Sequence, residues 1–188
     1  PSSAASDVYK RQTAYIVTEL ECPGYIVDDA QRIIHLDGGE QAQFVFTNSK
    51  MPSLHLYKES ADGTPLGGVT YRLAKIEDGG HYLDRITGPD GTITWEGLEP
   101  GVYSLVETAT VSDHILDTRK HHVQLFPGRD GTIVLQNDRR PDLTIHKSDA
   151  DTGAPVPGTV FLVKGADGHS VAEVTTGPVS YTHLTLPT

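Results

Sequence analysis

Cysteine, methionine and tryptophan occur once each, as Cys22, Met51 and Trp95, in a chain of 188 residues. One cysteine excludes a disulfide within the chain and any cysteine-based metal site. Cys22 has no histidine or other base near it in sequence and reads as inert. No apolar run is long enough to span a membrane as a helix. No long segment repeats its apolar residues at helical spacing, so the expected class is all-β. Basic residues are scarce, with 15 Lys and Arg against 25 Asp and Glu and a net charge of −10. That balance argues against nucleic acid as a partner and for an acidic, soluble surface. No nucleophile motif, phosphate loop or paired-carboxylate spacing is present. A turnover enzyme is therefore not expected, nor is a cofactor or a metal.

Turn formers are plentiful, with 19 Gly and 12 Pro. Between them lie short segments that alternate apolar and polar residues, as half-buried strands do. Three of these organise the chain: Leu54 to Lys58, Tyr103 to Glu107, and Ile133 to Asn137. Side chains alternate faces with period two. Lys58 therefore shares a face with Leu54 and Leu56, Glu107 with Tyr103 and Leu105, and Asn137 with Ile133 and Leu135. A Lys, a Glu and an Asn are aimed at one core, where lone polar groups are costly.

The three segments recur elsewhere. Tyr15 to Glu19 matches Tyr103 to Glu107, Phe44 to Asn48 matches Ile133 to Asn137, and Pro141 to Lys147 matches Pro52 to Lys58. Glu19 and Glu107 are 88 residues apart; Asn48 and Asn137, and Lys58 and Lys147, are 89 apart. Register kept over separated markers indicates tandem copies of one domain. The expected organisation is the C-terminal part of a truncated repeat at 13–49, a complete repeat at 50–139, and the N-terminal part of a third at 140–178.

Residues 1–12 and 179–188 stand outside this pattern. One permitted back-translation of Ser2–Gln12 has a reverse complement that encodes Val179–Thr188. Both ends are read as a translated sequencing adapter flanking a piece of a longer gene, and are set aside in fold reasoning. Leu186-Pro187-Thr188 lies in that tail and is given no weight as an anchoring signal.

Within the first part, Tyr15–Glu19, Ile33–Leu36 and Gln43–Thr47 are expected strands, with turns at Cys22–Tyr25 and Asp37–Gly39. In the central copy the expected strands are Leu54–Lys58, Val69–Lys75, His81–Ile86, Thr92–Trp95, Val102–Thr108, His121–Leu125 and Thr132–Asn137. Val69, Tyr71 and Leu73 share a face. Short strands separated by Gly/Pro turns favour a β-sandwich over a barrel. The third part should contribute Asp142–Lys147 and Thr159–Lys164. Ser49–Met51 and Asn137–Pro141 read as linkers.

Several of these stretches resemble a known family. Lys58 followed by Gly63-Thr64-Pro65-Leu66-Gly67-Gly68-Val69 is similar to the opening of a Cna-B or SpaA-type repeat, as is Lys147 with Asp149, Thr152-Gly153 and the strand to Leu162. Leu98-Glu99-Pro100-Gly101-Val102-Tyr103 with Leu105 and Glu107 resembles the family's LxPGxYxLxE segment. Glu19 with Pro23-Gly24-Tyr25 resembles its E…PxGY. The resemblance implies tandem prealbumin-like (transthyretin-like) β-sandwiches in the stalk of a Gram-positive pilin or adhesin, outside the cell and attached to its wall. It also implies a self-made isopeptide bond between Lys58 and Asn137, promoted by Glu107. Glu19, Asn48 and Lys147 fall at the equivalent positions of the truncated repeats. After Glu107 the chain departs from PxGY, with Thr108 to His114 in its place.

The residues themselves support the same chemistry. Lysine attacks only as a neutral amine, which burial favours. Burial also favours the neutral acid of a carboxyl group, so Glu107 is expected to donate to the Asn137 amide. The amide carbon then accepts the Lys58 nitrogen and ammonia leaves, once per chain. Alternatives stand for each residue: Lys58 turning out to solvent, Glu107 pairing with Arg72, Asn137 capping a linker turn. Expected partners are neighbouring repeats, and a host ligand through other domains. Two other readings are a ligand-binding sandwich, favoured by an exposed aromatic patch around Tyr82 and Trp95, and spacer repeats of a surface hydrolase. His121 and His122 are adjacent, point to opposite faces and make a poor metal pair. Asp149 to Gly153 is read as a turn in preference to a calcium loop.

Overall fold

The computed structural model describes residues 13–27, 31–179 and 181–186. The expected adapter residues 1–12, and residues 180, 187 and 188 of the tail, lie outside these. Among the described residues the regular structure is strand, with one 3₁₀ turn at Ile76–Asp78. The class is all-β.

The first part holds β1 (Thr13–Val17), β2 (Tyr25–Ile26), β3 (Arg32–Leu36) and β4 (Ser49–Lys50). β1 pairs with β3 and β2 with β4, both antiparallel. Two expectations differ from this. Ser49–Lys50, read as linker, is a short strand. Gln43–Thr47, read as the final strand, joins no sheet. The reason for the second is visible in the central repeat, where the equivalent strand is held by the repeat's first strand.

That repeat comprises β5 (Leu54–Ser60), β6 (Thr70–Lys75), β7 (Tyr82–Ile86), β8 (Thr92–Trp95), β9 (Gly101–Ala109), β10 (Lys120–Leu125) and β11 (Gly131–Asn137). They form two sheets, ordered β10-β9-β6-β7 and β11-β5-β8. All pairings are antiparallel except β5 with β11, the first strand and the last. The apolar face of each strand turns inward. Leu54, Leu56, Tyr71, Leu73, Ile93, Trp95, Tyr103, Leu105, Leu125 and Leu135 form one buried core between the sheets. Burying such a side chain stabilises by roughly 1.5–3 kcal/mol.

Trp95 lies in that core, so the aromatic surface patch with Tyr82 does not form. The cross-strand pairing decides this: Trp95 lies opposite Leu54, and both are buried in the core. Tyr82 is exposed and lies instead under the Arg72 guanidinium, 3.8 Å from its ring centre.

The third part holds β12 (Asp142–His146), β13 (Val160–Lys164), β14 (Ser170–Thr175) and β15 (Tyr181–Thr185). β13 pairs with β14, and β12 with β15. β15 falls in the tail set aside on sequence. It pairs Leu143 with Leu184, as β8 pairs Trp95 with Leu54. Its alternating, β-favouring residues suit an open edge.

Candidate functional site: a buried Lys–Glu–Asn cluster

The turn Gly88–Gly91 fixes where β5 carries its lysine. Gly91 has φ +73°, and a Cβ there would stand 2.3 Å from the Lys58 carbonyl oxygen. Only glycine fits so close to another backbone. Its own carbonyl accepts from the Lys58 N–H at 2.7 Å, and the Lys58 carbonyl accepts from the Leu66 N–H at 2.8 Å. Lys58 is thus held from both sides. In the parallel ladder it lies opposite Leu135, with Asn137 one inward step beyond. Glu107 reaches the same point from the facing sheet, where β9 pairs it with Tyr71.

The three side chains meet inside the sandwich. Lys58 is 1% exposed, Asn137 2% and Glu107 3%. Lys58 Nζ donates to Asn137 Oδ1 at 2.5 Å and lies 3.1 Å from Glu107 Oε2. Asn137 Nδ2 donates to Glu107 Oε1 at 2.6 Å. The expected direction was the reverse, with Glu107 donating to the amide. The amide presents its nitrogen to the carboxylate because its oxygen is taken by the lysine. Lys58 is not turned to solvent, Asn137 is not a linker cap, and Arg72 pairs with Asp84.

Burial pushes the Lys58 pKa down from its ordinary value, against an opposing upward pull from Glu107. The neutral amine is thereby favoured. Tyr71 was not singled out as part of the site. Its hydroxyl donates to Glu107 Oε2 at 2.9 Å. Burial, then the Glu107 charge, raises its pKa far above the usual phenol range, so it stays a donor. The signal for it was present: Tyr71 shares the core face with Val69 and Leu73, and a buried Tyr needs a partner for its hydroxyl. Thr110 Oγ1 lies 3.1 Å from Asn137 Nδ2, and the Asp117 N–H 3.5 Å from Glu107 Oε1. Thr110 lies in the segment that replaces the expected PxGY.

Beside the cluster, buried His114 contacts Ser60 Oγ at 3.1 Å and Asp113 at 2.9 Å. His121 reaches Asp117 at 3.1 Å. Asp149 Oδ1 accepts from the Asp151 and Thr152 N–H groups and the Thr152 hydroxyl, which closes a turn. No group of three metal-ligating side chains occurs among the described residues. Cys22 is half-buried and free.

The corresponding residues of the first and third parts make separate contacts. Asn48 Nδ2 donates to Glu19 Oε1 at 2.5 Å, in the relation of Asn137 to Glu107. Lys147 Nζ donates to the Ser148 carbonyl at 2.9 Å.

A family model described as SpaA, prealbumin-like fold domain, matches residues 52–139. This repeat is a SpaA-type prealbumin-like domain. Among solved structures, the Bacillus anthracis TIE protein matches with a TM-score of 0.52 and 21% identity, over 94% of this chain and 35% of that one. A streptococcal ancillary pilin matches at 0.45 and 19%, over 94% of this chain and 63% of that one. The shaft pilin SpaA of Lactobacillus rhamnosus GG, as a double mutant, matches at 0.47 and 14%, over 70% and 80%. The chain thus spans about a third of the first protein and under two thirds of the second. No curated protein matches. The first match agrees with the SpaA-type domain in fold.

Proposed function

We propose that this chain is a stretch of a Gram-positive surface stalk, of a pilin or adhesin, and that its SpaA-type domain locks itself with an isopeptide bond between Lys58 and Asn137. One observation carries this reading: a lysine, a glutamate and an asparagine in mutual contact, all buried, on the first, middle and last strands. Neutral Lys58 Nζ attacks Asn137 Cγ. Glu107, touching both nitrogens, takes the proton leaving Nζ and delivers it to Nδ2. The new C–N bond forms, the Cγ–Nδ2 bond breaks, and ammonia departs. Holding the reactants together is worth up to roughly 7–11 kcal/mol of barrier. The reaction consumes its own side chains, so the domain turns over once and is no enzyme in the ordinary sense.

The topology suits a stalk. β5 and β11 run parallel as neighbours. Tension entering before Leu54 would run along β5 to Lys58, cross the bond to Asn137 and leave. Residues 59–136 would carry none of it. In a cell such repeats would stand outside the wall, joined to neighbouring repeats of the same chain.

The test is the intact mass of the denatured chain. Wild type should be lighter by one ammonia, while Glu107→Ala and Lys58→Arg should have their full calculated masses. Full mass in the wild type overturns the covalent reading and leaves only the fold.

A further inference from the structure

The strand that carries Glu107 changes register just beyond it. β6 pairs Tyr71 with Glu107 and then Thr70 with Ala109, so Thr108 is an extra residue on β9. A bulge of this kind re-aims the side chains next to it. Strict alternation from Glu107 would turn Ala109 inward and Thr110 outward. One added residue reverses this: Ala109 is exposed and Thr110 is half-buried. Thr110 Oγ1 thereby accepts from Asn137 Nδ2 at 3.1 Å.

The loop that begins at Thr110 is tied to the strand that carries the amide. The His114 N–H donates to the Val111 carbonyl at 3.1 Å and closes a turn. The Ile115 N–H then donates to the Asp138 carbonyl at 2.9 Å, and the Arg140 N–H to the Asp113 carbonyl at 2.8 Å. Residues 138–140 directly follow Asn137, so the loop and the amide share one frame. His114 Nε2 lies 3.1 Å from Ser60 Oγ, and Ser60 is the residue opposite Asn137 in the parallel ladder. Thr110 is therefore held in place from the β5 side as well as the β11 side.

Both N–H groups of the Asn137 amide are then engaged, one by Glu107 Oε1 at 2.6 Å and one by Thr110 Oγ1. The amide oxygen accepts from Lys58 Nζ. Attack requires Nζ to leave that oxygen and move over the face of Cγ, where the orbitals align. The terminal torsion of an Asn side chain is broad. Held by one hydrogen bond, the amide would turn with the moving lysine; held by two, it keeps its face to Nζ.

We propose that Thr110 is a further catalytic residue of this site, holding the leaving nitrogen from the ground state to its departure. The role rests on the isopeptide reading above. The Nζ–Cγ bond forms, the Cγ–Nδ2 bond breaks, and the proton lost by Nζ passes through Glu107 to Nδ2. Thr110 neither gains nor loses a proton. Its oxygen keeps one N–H as Nδ2 becomes pyramidal and leaves as ammonia. A role in packing alone predicts something different. Valine keeps the shape of threonine and lacks the hydroxyl, whereas serine keeps the hydroxyl and lacks the methyl group. The two roles therefore rank these variants in opposite orders.

The experiment follows the intact mass of the full chain over time after cell-free synthesis is stopped. Trp95, the single tryptophan and 1% exposed, reports by its emission that the domain has folded. Thr110→Val should lose ammonia about tenfold more slowly than wild type, the rate equivalent of ~1.4 kcal/mol. Thr110→Ser should stay within about twofold of wild type. Should Thr110→Val fail to fold, Thr110→Ala set against Thr110→Ser isolates the hydroxyl, since the two differ in nothing else. Thr110→Val at the wild-type rate, Thr110→Ser as slow as Thr110→Val, or equal rates for Thr110→Ala and Thr110→Ser would each overturn the proposal while wild type still loses its ammonia. A wild type that keeps its full mass would instead overturn the isopeptide reading, and the role of Thr110 with it.

Discussion

Lys58 Nζ lies 2.5 Å from the amide oxygen of Asn137, although 79 positions separate them in the chain. The parallel pairing of the first and last strands creates that contact, and Glu107 bridges it from the opposite sheet. The consequences can be measured.

Glu107→Ala removes the carboxylate that touches both nitrogens. The chain should keep the mass of the lost ammonia. It should also unfold more easily, since it lacks the covalent link and leaves the buried Tyr71 hydroxyl and Asn137 amide without their acceptor, about 1–3 kcal/mol for each group left unsatisfied. Intact mass and a denaturant midpoint report the two effects separately. A Glu107→Ala chain that still loses ammonia would remove Glu107 from the chemistry.

Tyr71→Phe deletes a hydroxyl and little volume. Glu107 loses one donor, so the bond should still form, but more slowly, and the unbonded domain should lose about 1–3 kcal/mol. A time course of ammonia loss after refolding checks this. An unchanged rate would make Tyr71 merely a packed side chain.

Lys58 gives a pH dependence of definite sign. Burial lowers its pKa below the usual 10.5. Between the folded and unfolded values the unfolded chain binds more protons, so stability rises with pH through that window and is lowest beneath it. Asn137→Ala, which cannot form the bond, exposes the effect. Its denaturant midpoint should climb as the pH rises towards the ordinary lysine value of 10.5, and the climb should vanish when Lys58→Met is added.

Gly91→Ala places a methyl group against the Lys58 carbonyl, at a φ that side chains rarely adopt. The turn must move or the end of β5 must. Expected are a stability loss of at least about 1 kcal/mol and slower ammonia loss. A wild-type rate and midpoint would show that the turn does not position the lysine.

Leu105→Ala tests the core apart from the chemistry. Leu105 is fully buried two residues before Glu107. The cavity should cost roughly 2–5 kcal/mol and leave the ammonia loss complete wherever the domain is folded. Calorimetry and mass measured on one sample separate the two.

Much of this was legible in the sequence because strand periodicity is local. Alternation in Leu54–Lys58, Tyr103–Glu107 and Ile133–Asn137 assigned each polar residue to the core face, and the 89-residue repeat tied the three together. Tyr71 was visible as a core residue but not as a member of the site, since its partner lies across a strand pairing that alternation does not specify. Phe44–Asn48 carries the same alternation as β11 and yet joins no sheet. A strand needs a neighbour as well as a pattern.

The sequence by itself determined the class, the face each side chain takes and the residue types at the site, because these follow from period-two geometry and the cost of burying charge. Tertiary structure decided the rest. It put the first strand beside the last in parallel, turned the Asn137 amide with its oxygen to the lysine, and recruited Tyr71 and Thr110. Those choices depend on which edges meet and on which hydrogen-bond partners remain once the core is closed, and both are properties of the packed sandwich.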